Sequence, residues 1–221
     1  MSRRFLILAL PVAVAAAQQF QSNSVHVGDG EVSATYGPPR AKAVVTGAPY
    51  SAEQLQEYTP SPGEARAPSS SVIGRFARDS YGRTRSSIAY KAAPYWLTEI
   101  VDPVAGVAFL LDDQQKVAHR MALATPAAIP PMPARFTSQT LGTQTIDGVT
   151  AEGTRISGPL TIDTWKSPEL KIDLAVRSSN GYSSRMINLS RNEPDPAFFR
   201  PPADYRVVDE TEPFRMTIRT R

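Results

Sequence analysis

The chain has 221 residues, 41% of them hydrophobic, with 24 Lys and Arg, 21 Asp and Glu, 20 Pro, two His and no Cys. That is the length of a single domain with enough apolar side chains for a core, which excludes a wholly disordered chain. The lack of thiols excludes a disulfide scaffold, a Cys-ligated zinc site and a thiol nucleophile, and 19 Arg and 5 Lys without a basic run leave no nucleic-acid footprint.

Taken in chain order, Arg3 and Arg4 precede an apolar run over 5–17 that ends in small residues, the pattern of a secretory signal peptide at 1–17. About 13 apolar residues fall short of the roughly 20 a membrane-spanning helix needs. No later segment is apolar enough to cross a bilayer, and no Cys follows that would take a lipid anchor. The expected location is therefore periplasmic or secreted. Removing Arg3 and Arg4 also lowers the formal charge from +3 to +1. Residues 18–40 are polar, carry Gly28, Gly30, Gly37, Pro38 and Pro39, and show no periodicity, so a flexible leader is expected there.

Residues 41–208 read as one β domain. Short runs rich in β-branched and aromatic residues alternate with turn signals, the pattern of an antiparallel meander. Asp79-Ser80-Tyr81-Gly82 separates 72–78 from 83–90, Asp102-Pro103 separates 96–101 from 106–111, and Asp112-Asp113-Gln114-Gln115 leads into 116–121. Asp147-Gly148 and Asn180-Gly181 each stand between two strand-like runs, the strongest short hairpin signal. In 170–176, Leu170, Ile172, Leu174 and Val176 alternate with Lys171, Asp173 and Ala175, so one face is buried and the other wet. The run 106–111 is apolar almost throughout and should be covered on both faces.

Three segments depart from this pattern. Residues 51–57 combine a Ser N-cap with helix formers and suit either a short helix or a strand. Residues 122–134 hold Pro126, Pro130, Pro131 and Pro133, which leaves a polyproline-like connector or an irregular segment across the mouth of the sheet. Asp195-Pro196 reads as the N-cap and first residue of a helical turn. Residues 209–221 form a charged tail in which 214–218 has strand character.

No catalytic constellation stands out. There is no Gly-x-Ser-x-Gly elbow, no Ser-x-x-Lys pair and no Gly-rich phosphate loop opening a helix. His119 reads as a strand-surface side chain, and His26 falls in the leader. Asp112-Asp113 lacks the further ligands and Gly of a calcium loop and reads as a hairpin turn. Arg75, Arg78, Arg83 and Arg85 flank one hairpin and suit either an anionic head group or a solvated strand face. Catalytic residues, metal and cofactor are all read as none.

Several phrases occur in a fixed order: Arg78-Asp79-Ser80-Tyr81-Gly82-Arg83-Thr84-Arg85, Val101-Asp102-Pro103-Val104-Ala105-Gly106-Val107, Leu141-Gly142-Thr143-Gln144-Thr145-Ile146-Asp147-Gly148-Val149, Glu152-Gly153-Thr154-Arg155, Trp165-Lys166-Ser167-Pro168-Glu169-Leu170, Glu193-Pro194-Asp195-Pro196 and Pro201-Pro202-Ala203-Asp204-Tyr205. Together they resemble a family of uncharacterised secreted bacterial proteins. The layout is also similar to the periplasmic lipoprotein carriers of the LolA/LolB type. That resemblance implies a mainly β fold, an antiparallel meander curled into an open half barrel with a short helical or irregular lid over its concave face. It implies no catalytic residue.

The expected function is non-enzymatic binding of a lipid or other apolar ligand in the concave face, with Leu97, Val107, Phe109, Ile172, Leu174 and Val176 as candidate lining residues. The alternative is a cell-envelope structural or protein-interaction module, with an envelope protein as partner and no ligand cavity.

Overall fold

The computed structural model describes residues 22–28, 31–90, 95–125, 133 and 135–219. The expected signal peptide and most of the Pro-rich stretch at 126–132 lie outside them. The strands in chain order are β1 (Ser22–Gly28), β2 (Glu31–Tyr36), β3 (Tyr50–Tyr58), β4 (Ser69–Arg78), β5 (Thr84–Tyr90), β6 (Tyr95–Asp102), β7 (Val107–Asp112) and β8 (Val117–Ala122). They continue with β9 (Thr137–Ile146), β10 (Val149–Ser157), β11 (Thr161–Lys166), β12 (Asp173–Ser178), β13 (Tyr182–Ser190), β14 (Arg206–Asp209) and β15 (Phe214–Arg219). The one helical element described is a single 3-10 turn, Pro196–Phe199.

Twelve strands form one sheet in the order β14-β8-β7-β6-β5-β4-β3-β13-β12-β11-β10-β9. The sheet is curved, and its end strands β14 and β9 do not pair, so the barrel stays open. All neighbours are antiparallel except β14, which lies parallel to β8. This is the antiparallel meander that the turn pattern predicts, curled into the mainly β, open half barrel that the resemblance implies.

The predicted hairpin turns form, each for a local reason. Asp147 and Gly148 both take positive φ, 47° and 78°, which matches the right-handed twist of the flanking strands. At Asp79 the buried carboxylate accepts the backbone N–H of Tyr81 and Arg83 at 3.0 and 2.8 Å and the Arg83 Nε at 2.5 Å. Gly82 then turns with φ 84°, and a Cβ there would stand 2.6 Å from Val44. Asp112 plays the same part between β7 and β8, accepting from the N–H groups of Gln114 and Gln115 at 3.0 and 2.9 Å.

The segment at 51–57 resolves as strand, not helix. Its helix-forming residues are overruled because β3 lies between β13 and β4 and pairs with both, and Tyr50, Ala52 and Gln54 turn inward with period two. In the wet-and-dry run, Leu170, Ile172, Leu174 and Val176 are all buried as expected. The strand itself starts only at Asp173, because Lys171 takes φ 58° in the preceding turn.

The ends of the chain depart most from the sequence reading. The expected flexible leader over 18–40 includes the hairpin β1–β2, and the charged tail over 209–221 supplies β15, which pairs with β2 from Phe214–Tyr36 to Arg219–Glu31. The reason is tertiary. Ala34, Tyr36, Phe214, Met216 and Ile218 pack against Tyr95, Leu97, Val101, Ala108, Leu110 and Met121, so the small sheet roofs one face of β6–β8. On the opposite face Phe199 from the 3-10 turn packs on Ala77, Ile100, Leu111 and Ala118. The apolar run in β7 is therefore covered on both faces, as its composition requires.

Candidate functional site

The six lining candidates do not share one cavity wall. Leu97 lies in the cluster under the small sheet. Phe109 pairs with Ile100 and packs from the other side, and Val107 pairs with Asp102 on that same opposite face. Ile172 and Leu174 belong to a third cluster with Tyr50, Ala52, Phe76, Leu170 and Met186, and Val176 is buried beside it on β12. Leu97, Phe109, Ile172 and Leu174 are thus distributed over three buried clusters, and Val107 and Val176 belong to none of them.

The space in the molecule lies elsewhere. An open groove of about 590 Å³ runs along β9–β13 and is lined by Gln144, Thr145, Asp147, Trp165, Arg177 and Arg185, among others. Strand register explains its floor. One cross-strand row reads Gly153, Trp165, Ala175, Arg185, and the next reads Arg155, Asp163, Arg177. Residues opposite one another in adjacent antiparallel strands project to the same face, and neighbouring rows on that face stand about 7 Å apart. The indole thereby shares its face of the sheet with Arg155, Arg177 and Arg185.

Gly153 fixes the indole. A Cβ at this position would stand 2.5 Å from the Trp165 ring and 2.8 Å from the Leu141 Cβ. Only a glycine lets the ring lie against β10, which is a known use of glycine inside a strand. The indole is therefore a half-buried platform whose remaining surface faces the groove.

The charges of the groove divide into spent and available ones. Arg155 donates from Nε and Nη2 to the two carboxylate oxygens of Asp163, both at 2.7 Å. This hydrogen-bonded pairing holds the Asp163 carboxyl below the usual carboxylate range, with Arg177 adding to the effect. Among the described residues Arg177 forms no ion pair, and Arg185 has only an exposed, distant contact with Glu57 at 3.8 Å. The Arg177 and Arg185 guanidinium groups line the groove with the indole, as does the Asp147 carboxylate.

The other candidates are absorbed by structure. Arg78 is buried and donates to the carbonyls of Ala48 (3.0 and 2.6 Å) and Leu170 (2.8 Å), and burial lowers its pKa. Arg83 holds Asp79, Arg85 donates to the Phe198 carbonyl at 3.2 Å, and Arg75 bridges Glu53 at 3.2 Å while lying over the Trp96 ring. A smaller hollow of about 330 Å³ beside Arg75 and Phe198 is lined by these mutually satisfied groups. His119 stacks on Phe214 at 4.3 Å and shares a 2.8 Å hydrogen bond with Glu210, which ties β8 to the segment leading into β15. Among the described residues no three His, Asp or Glu side chains converge to hold a metal ion. None of their helices is long and apolar enough to cross a membrane.

Gly153, Arg155 and Trp165 stand in the recurring phrases, but local pattern alone does not single them out as a groove. A glycine in mid-strand was the available hint. The opposition of Gly153 and Trp165 depends on the register between β10 and β11, which local pattern does not disclose.

No family model matches the chain, and no curated protein matches it. Among solved structures, PNGF-II in one crystal form is similar over 74% of this chain, at 8% identity and TM-score 0.36, and this chain spans about a third of its length, 32%. A LolA superfamily protein of Nitrosomonas europaea is similar over 71% of this chain and 92% of its own, at 9% identity and TM-score 0.30. A domain described as that of an outer membrane lipoprotein-sorting protein from Vibrio parahaemolyticus is similar over 68% of this chain and 89% of its own, at 8% identity and TM-score 0.19. These values are too low to carry a functional argument.

Proposed function

We propose that the chain acts outside the cytoplasm as a non-enzymatic binding module that holds its ligand against Trp165 in the groove of β9–β13. The observation that supports this reading is the platform itself. Gly153 gives up its side chain so that a large aromatic ring can lie flat and face open space beside two available arginines. A ring seated in this way presents apolar area at little conformational cost to binding. The lipid-carrier reading shares this site if the apolar part of the ligand rests on the indole.

The experiment uses anilinonaphthalene sulfonate, an aromatic anion, with the Trp96→Phe protein, in which Trp165 is the sole tryptophan. The expected result is saturable one-site binding with energy transfer from Trp165, weakened by Trp165→Leu. An absence of saturable binding, or binding that Trp165→Leu leaves unchanged, overturns the reading.

One observation favours a second reading, the envelope interaction module. Strand β9 ends the sheet, its ten residues carry no charge, and eight of them are exposed. A long uncharged edge of this kind is a template for strand addition. Self-association or partner binding abolished by Thr143→Lys with Thr145→Lys would support it, and a monomer unaffected by those changes would contradict it.

A further inference from the structure

We propose that the ligand of the groove is an acidic carbohydrate, with a sugar ring stacked on Trp165 and a carboxylate held by Arg177 and Arg185. This rests on the reading of the groove as the binding site and adds the chemical class of what it binds.

Three features lead there. First, the groove is open to solvent, and it mixes the indole, Ile146 and Ala175 with Gln144, Thr145 and charged side chains. An acyl chain lying in it would keep much of its apolar surface in water and so lose the main source of its affinity. A pyranose gains from the same geometry, because its C–H face covers the indole while its hydroxyls stay hydrated or reach the Gln144 amide, which shares the face of Gly153. Second, the indole is held in place by Gly153 and Leu141, so binding does not have to order it.

Third, guanidinium groups outnumber carboxylates in the lining, with Arg155, Arg177 and Arg185 against Asp147 and Asp163. Asp163 is already neutralised by the two-point contact from Arg155. Arg177 lies opposite Asp163, and Arg185 lies in the row of Trp165, so both flank the ring. A guanidinium offers parallel N–H donors that match a carboxylate, which suits a uronic acid better than a neutral hexose.

The test titrates the Trp96→Phe protein with three probes: hexagalacturonate, cellohexaose and sodium dodecanoate below its micellar concentration. Trp165 emission is expected to respond saturably to hexagalacturonate with at least tenfold higher affinity than to cellohexaose. Arg177→Gln and Arg185→Gln are each expected to lower that affinity tenfold or more. Both arginines are exposed, and near-ultraviolet circular dichroism checks that the variants keep the native packing.

A response to dodecanoate with none to hexagalacturonate overturns the carbohydrate assignment and leaves the groove as a binding site. Equal affinity for the acidic and neutral hexasaccharides overturns the role of the arginines. Silence toward all three probes, together with failure of the dye experiment, overturns the site as well.

Discussion

Strands β6–β8 carry buried side chains on both faces, whereas β9, eleven positions along the same sheet from β14, is exposed along most of its length. Both regions are built from antiparallel hairpins with well-formed Asp-led or Gly-containing turns. The difference lies in what covers them. The chain ends return to roof β6–β8 with β2 and β15, and the 3-10 turn closes the other side with Phe199. On β10, Val149 and Ala151 still join a buried cluster with Leu170, Ile172 and Leu174, while Gln144, Arg155, Asp163 and Arg177 border the groove. The doubly covered strands and the free surface thus lie in different parts of the sheet, the usual separation of a rigid scaffold from its binding face.

The largest effect that would break this comparison is core truncation. Leu110→Ala, in the doubly covered centre, is expected to cost roughly 3 kcal/mol, while Ile156→Ala on β10 stays within about 0.5 kcal/mol. Urea denaturation measures both, and similar losses would show that the two regions are equally packed.

Next comes Arg78→Leu, which strips the donors from the buried Ala48 and Leu170 carbonyls and is expected to cost about 2–3 kcal/mol. It locates the junction between the two regions, because Leu170 belongs to the turn before β12. A loss within experimental error would mean that water replaces the guanidinium there.

Gly153→Ala sharpens the role of the groove. The added Cβ meets the indole, so a loss of about 1–2 kcal/mol is expected, with a red shift of Trp165 emission in the Trp96→Phe background. Gly106→Ala serves as control, since nothing lies within 4 Å of its Cβ. It is expected to cost about 1 kcal/mol through its positive φ alone, with no spectral change.

The smallest effect concerns pH. The Asp163 carboxyl is depressed below its reference value of 3.8, so its contribution is complete above that value and is lost as pH falls through the lower folded-state pKa. Asp163→Asn should therefore lower the melting temperature at pH 7 and lower it less near about pH 3, where part of that contribution is lost. An equal decrease at both values would show that the charge pairing is not what Asp163 contributes.

Much of the architecture was legible because turn chemistry and period-two burial are local. Asp147-Gly148 and the alternation through Leu174 and Val176 need no knowledge of the rest of the chain. Of the terminal strands only the strand character of 214–218 was legible, since a polar segment such as Glu31–Tyr36 becomes a strand only by pairing with Phe214–Arg219, some 180 residues away. The candidate site was missed for a related reason. Leu97 and Phe109 look equivalent in sequence, yet the register of β6 and β7 sends them to opposite faces. Likewise the indole platform exists only because β10 and β11 bring Gly153 opposite Trp165.

The most direct measurement of the central claim is quenching of Trp165 in the Trp96→Phe protein by iodide and by caesium at equal ionic strength. An accessible indole between two available arginines predicts that iodide quenches more strongly than caesium, and that Arg177→Gln with Arg185→Gln removes the bias. An indole shielded from both ions, or one that caesium quenches better, would contradict the account.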